Sequence, residues 1–320
     1  MSFSKNVLEI DAAAEAARVS AFIKGQLLAM HREGVVLGLS GGVDSALAAA
    51  LSVKAVGREK VLALLLPDKE SSPESAEFAA KQADKLGIKA VTVDITPVLE
   101  AFGTYEKRDA VARSVFPEFG PGHKMKIALP PDILNKGSLN FFTLTVIDPQ
   151  GASKSARLTN EQARGIIAAT STKHRVRMMT QYYHAEKLND LVCGTTNRSE
   201  AVLGLFVKYG DGGVDIEPLA HLYKKQVFQM AEHLGVIPEI LERAPCPDTY
   251  SAPTTDEEWY FRMPLETLDL LLYAWENKIE VTEVGRVMGL TGEQVGRAFK
   301  DFANKHRSTR HLGQLPPVLP

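Results

Sequence analysis

Residues 40–45, with the sequence SGGVDS, combine the residue types of a phosphate-binding turn. Gly41 and Gly42 permit backbone conformations that other residues avoid, and they leave amide N–H groups open to an anion. The hydroxyls of Ser40 and Ser45 add hydrogen-bond donors. Asp44 has the wrong charge for phosphate, but it suits a Mg²⁺ ion held against that phosphate. The turn therefore predicts a nucleotide-phosphate site with Asp44 as its first metal ligand.

The elements around this turn must place it between a strand and a helix. Short aliphatic runs alternate with helical patterns at 35–39, 46–56, 61–66, 74–86 and 90–95. This order predicts an α/β fold with a doubly wound, mostly parallel sheet and helices on both faces. Ligands of such sheets bind at the carboxyl ends of the strands. A helix that begins near Asp44 also offers free N–H groups and a positive dipole end to an anion.

The simplest alternative is a Gly-Gly turn that only connects two elements, with Asp44 and Ser45 as helix caps. The turn is not of the Walker type, because no Gly-Lys-Ser/Thr follows at the required spacing. Its pattern resembles that of the PP-loop ATP pyrophosphatases. The resemblance implies an adenine nucleotide alpha hydrolase-like fold. It also implies that ATP adenylates a substrate oxygen with release of pyrophosphate, after which a nitrogen or sulfur nucleophile displaces AMP.

Later motifs narrow the substrate. The chain contains GTTNRSE at 194–200, KYGDGGVDI at 208–216 and LYKKQV at 222–227. In this order they resemble the motifs of the ammonia-dependent NAD⁺ synthases. The segment KHRVRM at 173–178 resembles a helix start of that family. The resemblance runs across most of the chain and implies a single synthase domain over 1–320.

Carried over by position, the resemblance implies an ATP site and a metal site. Asp44 and Lys224 would be catalytic, and Asp44 and Glu200 would bind Mg²⁺. The residues implied to contact ATP are Gly38, Leu39, Ser40, Gly41, Gly42, Val43, Asp44, Ser45, Thr195 and Lys224.

The resemblance also implies a site for deamido-NAD⁺, formed by Arg175, Lys208, Asp215, His306 and Arg307. The basic residues suit the pyrophosphate and carboxylate of a dinucleotide, since Arg grips oxyanions in a bidentate way and Lys acts as a point charge. Asp215 suits sugar hydroxyls better. For the C-terminal pair, residues 310–311 offer an alternative register.

The implied reaction amidates deamido-NAD⁺ to NAD⁺ through an acyl-adenylate, releasing AMP and pyrophosphate. No glutaminase region is evident, so ammonia is the expected nitrogen donor, and delivery by a separate glutaminase partner is the alternative. The resemblance also implies a homodimer. Within the superfamily, the alternatives are GMP synthase-like amination and tRNA modification. The segment KYGDGGVDI disfavours GMP synthase-like amination, and the lack of paired cysteines disfavours tRNA modification.

Each assignment also has a structural interpretation. Glu200 can complete a capping box with Asn197. Lys208 and Lys224 would by default be solvated. Arg175 and Arg177 should point to different faces of a helix, so that one of them can be purely structural. The side chains expected to be packing or surface residues are those of Cys193, His174, His184 and His221.

Three regions depart from a compact synthase. Residues 103–165 form a predicted insertion, with strands expected at 125–129 and 139–147, and we interpret it as a structural elaboration. Cys246 occupies a position where the family usually has Thr or Ser, although a thiol is a weaker donor. Residues 256–320 are predicted to form a helical C-terminal appendage. Its segment 281–302 resembles a helix-turn-helix, but it lacks a basic excess, which favours helix packing over a DNA-binding regulator.

Composition bounds these predictions. The 320 residues carry a formal net charge of -2, which disfavours a broad nucleic-acid surface. The chain has two cysteines, too few for a four-cysteine zinc site, and this scarcity suits a reducing compartment. Residues 1–30 read as an amphipathic helix and not as a signal segment. No run is apolar enough to span a membrane. We therefore expect a soluble, cytoplasmic protein with no nucleic-acid or membrane partner.

Overall fold

A computed structural model describes residues 3–137, 141–247 and 249–319. Its strands are β1 Val35–Gly38, β2 Val61–Leu65, β3 Lys89–Thr92, β4 Lys124–Ala128, β5 Thr143–Ile147, β6 Ser153–Arg157 and β7 Leu191–Val192. Its α-helices are α1 Ala12–Ala29, α2 Val43–Val56, α3 Pro73–Leu86, α4 Thr96–Phe102, α5 Thr104–Val115, α6 Asn160–Leu188, α7 Arg198–Leu203, α8 Lys224–His233, α9 Pro238–Leu241, α10 Leu265–Glu276, α11 Val281–Met288 and α12 Gly292–Thr309.

The main sheet has the order β3-β2-β1-β7, and its recorded pairings are parallel. The chain moves outward from β1 through β2 to β3, and later returns to the other side of β1 as β7. This reversal creates a crevice at the carboxyl end of β1, between β2 and β7. The doubly wound, mostly parallel sheet predicted from the sequence is confirmed.

Helices cover both faces of this sheet because alternate strand residues point to opposite sides. Val35 and Leu37 pack with residues of α1, α2 and α8 in one buried cluster. Val36 and Leu64 pack with residues of α4, α5 and α6 in another. The strand β1 is therefore buried on both faces, which explains its continuous aliphatic sequence.

A second sheet lies in the predicted insertion. It is antiparallel, with the order β4-β5-β6. β4 and β5 correspond to the strands expected at 125–129 and 139–147, although residues 139 and 140 lie outside the described ranges, and β6 was not predicted. Met125, Ile127 and Leu144 pack against α5 and α6. Hydrophobic packing on α6 therefore ties this sheet to the main one.

The helix α6 is 29 residues long, so the interpretation of 173–178 as a helix start is wrong. The helix begins at a capping box in which the Thr159 side chain accepts from Gln162 N, and the Gln162 side chain accepts from Thr159 N. Residues 173–178 lie in its middle, where consecutive side chains point toward different layers of the fold.

The C-terminal helices α10, α11 and α12 form a further buried cluster with α7. Val295, Ala298 and Phe302 of α12 are buried in it. The second helix of the segment that resembles a helix-turn-helix thus packs one face into the protein. In the part of the chain that the structure describes, no helix combines the length and apolar character needed to cross a membrane.

Candidate active site

The SGGVDS turn lies at the carboxyl end of β1 and leads directly into α2. Gly41 has φ +78°, a conformation that favours glycine, and a Cβ there would also collide with the Ser75 carbonyl oxygen. Ser40 N donates to Ser45 Oγ at 3.1 Å, and Ser45 Oγ donates to Gly42 O at 3.0 Å. The turn is therefore held by its own hydroxyls, with the N-terminus of α2 facing the crevice.

Asp44 meets residues from two distant motifs. Lys224 Nζ donates to Asp44 Oδ2 at 2.5 Å and to Glu200 Oε1 at 3.4 Å. Asn197 Nδ2 donates to Asp44 Oδ1 at 2.9 Å. The structure thus brings together the residues predicted to bind metal and the lysine predicted to contact ATP, with the ammonium between the two carboxylates.

Burial strengthens the electrostatic interactions within this cluster. Lys224 is only 4% exposed. Burial alone would lower the pKa of Lys224, but Asp44, Glu200 and Asp256 together raise it well above its ordinary value. Burial raises the pKa of Glu200 to about 8 and that of Asp256 to about 6, in both cases against the pull of Lys224. Lys224 is therefore a buried cation and not the solvated lysine of the default interpretation.

Glu200 does complete the capping box of its structural interpretation. Glu200 Oε2 accepts from Asn197 N at 3.2 Å, and Glu200 N donates to Asn197 Oδ1 at 3.1 Å, which completes a capping box for α7. Its other carboxylate oxygen faces Lys224. The cap thus fixes the direction in which the second oxygen points.

Below this loop lies Glu217, which the sequence did not suggest. Its Oε2 accepts from Thr196 N at 3.1 Å, and its Oε1 contacts Thr196 Oγ1 at 3.0 Å. Burial raises the pKa of Glu217 to about 8. Glu217 therefore anchors the segment that carries Thr195, Asn197 and Glu200 to the segment that follows residues 208–216 of the same chain.

A cavity of about 530 Å³ opens over the turn. Its wall includes residues 40–45, together with Thr195, Glu200 and Lys224. A smaller cavity of about 230 Å³ adjoins it and is lined by Gly38, Leu39, Ser40, Ser45, Leu64, Leu65 and Leu66. All the residues predicted to contact ATP therefore line one or both cavities.

Of the residues predicted to bind the dinucleotide, Arg175 and Lys208 line the larger cavity. Arg175 Nη2 lies 3.4 Å from Lys208 O, and Lys208 Nζ donates to His311 O at 3.1 Å. Their recorded hydrogen bonds are to carbonyl oxygens, and Lys208 Nζ also lies 5.3 Å from the centre of the Tyr209 ring. Both cations are thus available for an anionic ligand.

The other three predicted dinucleotide residues are not among those lining the cavities. Asp215 accepts from Tyr182 Oη at 3.0 Å and from Val192 N at 2.8 Å, so it braces β7 in this chain. His306 Nδ1 lies 3.0 Å from Val202 O, and Arg307 Nη2 donates to Asn304 Oδ1.

Near these basic pairs, the residues that do line the larger cavity are Thr309 and Leu312. The side chains of residues 306–307 and of the alternative pair 310–311 are exposed. Within a single chain, the structure therefore brings neither basic pair to the cavity wall.

His174 was expected to be a packing or surface residue, yet it lines both cavities. Its Nδ1 lies 3.5 Å from Asp211 Oδ1, and its Nε2 lies 3.5 Å from Thr249 Oγ1. Burial lowers the pKa of His174, opposed by Asp211. His174 precedes Arg177 by three positions on α6, and both line the smaller cavity.

The structure confirms two expectations about side chains near this cavity, those for the arginine pair of α6 and for Cys193. Arg177 Nε donates to Leu66 O at 3.1 Å, whereas Arg175 lines the larger cavity, so the two arginines do point to different sides of α6. Cys193 is 1% exposed, and burial raises its pKa to about 12. A thiol in this state is an apolar packing group and not a nucleophile.

The carboxylates of Asp44 and Glu200 fit a magnesium site. In the described ranges, no group of three or more His, Cys, Asp or Glu side chains could by itself hold a metal ion. Magnesium, however, is commonly held by one or two carboxylates completed by waters and substrate phosphates. Asp44 and Glu200 already converge on one cationic group, Lys224 Nζ. The donor set is therefore chemically suitable for Mg²⁺ in the presence of a nucleotide.

Comparisons with known proteins agree with this geometry. A model of the NAD synthase family matches residues 15–118 and 134–313. The chain is 44% identical over 317 residues to an NH(3)-dependent NAD(+) synthetase of Rhizobium meliloti (strain 1021), covering 99% of this chain and 95% of the relative. It is 36% identical over 262 residues to a protein of the same name from Thermotoga maritima, covering 82% and 87%.

Two solved structures share the fold. An NMN synthetase from Francisella tularensis superimposes with a TM-score of 0.67 at 22% identity, over 97% of this chain and 99% of that chain. An NH3-dependent NAD synthetase from Campylobacter jejuni, in complex with nitrate, gives 0.63 at 22% identity, over 97% and 100%. Their names state different products, so these likenesses concern the fold alone.

Proposed function

Because the chain belongs to the NAD synthase family, we propose that it converts deamido-NAD⁺, ATP and ammonia into NAD⁺, AMP and pyrophosphate. Membership makes it an enzyme, a ligase that forms a C–N bond. The intermediate of the proposed reaction is an acyl-adenylate of the nicotinate carboxylate. The proposed location is the cytoplasm.

The observation that carries this proposal is the convergence of Asp44, Glu200 and Lys224 beside the SGGVDS turn. A turn with open backbone N–H groups at a helix N-terminus suits phosphate. The two carboxylates beside it would hold a metal ion that offsets the charge of the phosphates. Arg175 and Lys208 add cations across the same cavity, where an anionic second substrate would lie. The arrangement thus supports a reaction between a nucleotide triphosphate and another anion.

The proposed reaction has two steps. A nicotinate carboxylate oxygen attacks the α-phosphorus of ATP, and the bond to the β-phosphate oxygen breaks as pyrophosphate leaves. Ammonia then adds to the activated carbonyl carbon and loses one proton to solvent, and the bond between that carbon and the phosphate oxygen breaks to release AMP. Neither step needs a protein nucleophile, so positioning and charge stabilisation are the contributions of this chain.

Asp44 and Glu200 would hold Mg²⁺, which when bound neutralises charge on the phosphate oxygens. Lys224 adds a fixed positive charge at the same place, and the amides of Gly41 and Gly42 donate to phosphate oxygens. Thr195 lines both cavities, which supports its proposed contact with ATP.

We further propose a homodimer, and free ammonia as the nitrogen donor. A dimer would supply a second surface near residues such as Asp215, His306 and Arg307, which lie off the cavity of a single chain. Light scattering during gel filtration tests the dimer: a monomer at micromolar concentration would contradict it. Activity with ammonium and inactivity with glutamine would support the free donor, whereas a requirement for an added glutaminase would support a separate partner.

The direct test incubates the protein with Mg-ATP, ammonium and deamido-NAD⁺ and follows AMP, pyrophosphate and NAD⁺ together. Equal amounts of the three products are expected. Pyrophosphate release without NAD⁺ would indicate another acceptor for the activated acid, and no turnover of ATP would contradict the proposal.

A further inference from the structure

Arg243 is a cation in the wall of the larger cavity, in the segment that follows α9. Its Nη1 donates to Ser75 Oγ at 2.9 Å, and its Nη2 lies 3.6 Å from Cys246 Sγ. A hydroxyl and a thiol are both neutral in their ordinary states at neutral pH. Arg243 itself is partly buried, so its guanidinium has neutral hydrogen-bond partners and limited access to solvent.

The same contacts place Arg243 at the edge of the phosphate-binding turn. Ser75 contacts Arg243 through its hydroxyl, while its carbonyl oxygen lies where a Cβ of Gly41 would be. One residue near the start of α3 thus separates Arg243 from the glycine turn. Lys224 approaches that turn from α8, through Asp44.

The charges around the cavity distinguish Arg243 from Lys224. The ammonium of Lys224 is shared between the carboxylates of Asp44 and Glu200. Within the described part of the chain, the recorded contacts of Arg243 include no carboxylate. A partly buried guanidinium with neutral neighbours favours an anionic ligand, and its planar fork matches two phosphate oxygens at once.

We propose that Arg243 binds the β- and γ-phosphates of ATP and stabilises the departing pyrophosphate, an inference that rests on the proposed function. As the bond between the α-phosphorus and the bridging oxygen breaks, its electron pair moves to the β-phosphate oxygen. Arg243 offsets this negative charge beside Gly41. Cys246 and Ser75 orient the guanidinium. Cys246, at the position where the family usually has Thr or Ser, therefore acts on ATP through Arg243.

The test measures binding of ATP, pyrophosphate and AMP by calorimetry in the presence of Mg²⁺. Arg243→Ala should weaken binding of ATP and of pyrophosphate roughly ten-fold or more, since a hydrogen bond between charged groups is lost. Binding of AMP, which lacks the β- and γ-phosphates, should not change. Arg243→Lys should give an intermediate loss, because it keeps the charge without the fork.

Arg58→Ala is the matched control. That arginine is exposed before β2, at the end of the sheet opposite the cavity, and its partner is Glu59. It should leave all three affinities unchanged. If Arg243→Ala does not fold, Arg243→Lys decides the question with the same comparison.

Two results would overturn the assignment. Equal weakening of AMP and ATP would indicate a general distortion of the cavity, and unchanged ATP and pyrophosphate binding would show that Arg243 does not contact the phosphates. Failure of the wild-type protein to bind ATP would instead count against the proposed function. The two proposals therefore fail in distinguishable ways.

Discussion

Lys224 Nζ and Asp44 Oδ2 lie 2.5 Å apart, although 180 positions separate the two residues in the chain. Asp44 is at the first turn of α2, and Lys224 is at the start of α8. The contact therefore joins the glycine turn after β1 to a motif far along the sequence. Both helices pack in the same buried cluster, which fixes the distance between their first turns.

Replacement of Asp44 by alanine should lower pyrophosphate release roughly 100-fold or more. The variant lacks the carboxylate that would hold Mg²⁺ and that positions Lys224, and both cations would stabilise the charge of the transition state. The measurement is pyrophosphate release with deamido-NAD⁺ and ammonium present. Asp84→Ala on the exposed face of α3 is the control and should retain full activity. Near-wild-type release by Asp44→Ala would refute the metal assignment.

Replacement of Lys224 by methionine should lower both turnover and stability. It leaves the partly buried carboxylates of Asp44 and Glu200 without their shared cation, and we expect a loss below the roughly 3–5 kcal/mol typical of a fully buried pair. Urea denaturation at pH 8 measures the loss, and added MgCl₂ should restore part of it if the two carboxylates bind the ion. Lys225→Met, whose side chain pairs with Glu9 at the surface, is the neighbouring control. A loss that MgCl₂ leaves unchanged would argue against a metal there.

Glu217 should make stability depend on pH between about 4.5 and about 8. Its pKa is raised in the folded state, so the folded protein binds the extra proton, and this contribution is lost as pH rises through that range. Each pH unit there removes at most about 1.4 kcal/mol.

Glu217→Gln mimics the neutral acid and should not show this loss. The difference in melting temperature between variant and wild type should therefore increase from pH 5 to pH 8.5. Glu217→Ala should raise the KM for ATP, because Thr196 loses both contacts. A melting difference independent of pH would contradict the assignment.

Gly204→Ala should destabilise the protein, because Gly204 has φ +76° and Thr309 occupies the space of a Cβ. The strained backbone alone costs about 1 kcal/mol, and the collision adds to it. Combining it with Thr309→Gly, which empties that space, should give a loss smaller than the sum of the two single losses. Additive losses in a double-mutant cycle would show that the two residues do not interact.

The parts of the fold that the sequence predicted are those with a strong local signal. The run at 35–39 is aliphatic throughout because β1 is buried on both faces, and the turn that follows it needs glycine. The start of α6 was missed, although Thr159 and Gln162 have the spacing of a capping box. The later motif at 173–178 was read as a boundary, whereas periodicity alone does not mark where a long helix begins.

The site shows the same division. Asp44, Glu200 and Lys224 lie in recognisable motifs, and the structure brings them together. Asp256 and Arg243 lie in an irregular segment that has no periodicity of its own, and only tertiary packing brings it over the turn. No spacing rule could have placed these two residues in the cavity.

The contact between Gly204 and Thr309 also bears on how the protein can be handled. Gly204 ends the helix that carries Glu200, and Thr309 ends α12, after which Leu312 lines the cavity. A purification tag joined beyond residue 319 would be attached a few residues from the catalytic cavity. It could disturb the contact between Thr309 and Gly204 at the end of α7. A tag at the amino end would precede Phe3, which is buried in the cluster that contains Leu203 of α7 and residues of α10, α11 and α12. For kinetic work, a tag at either end should therefore be cleaved off.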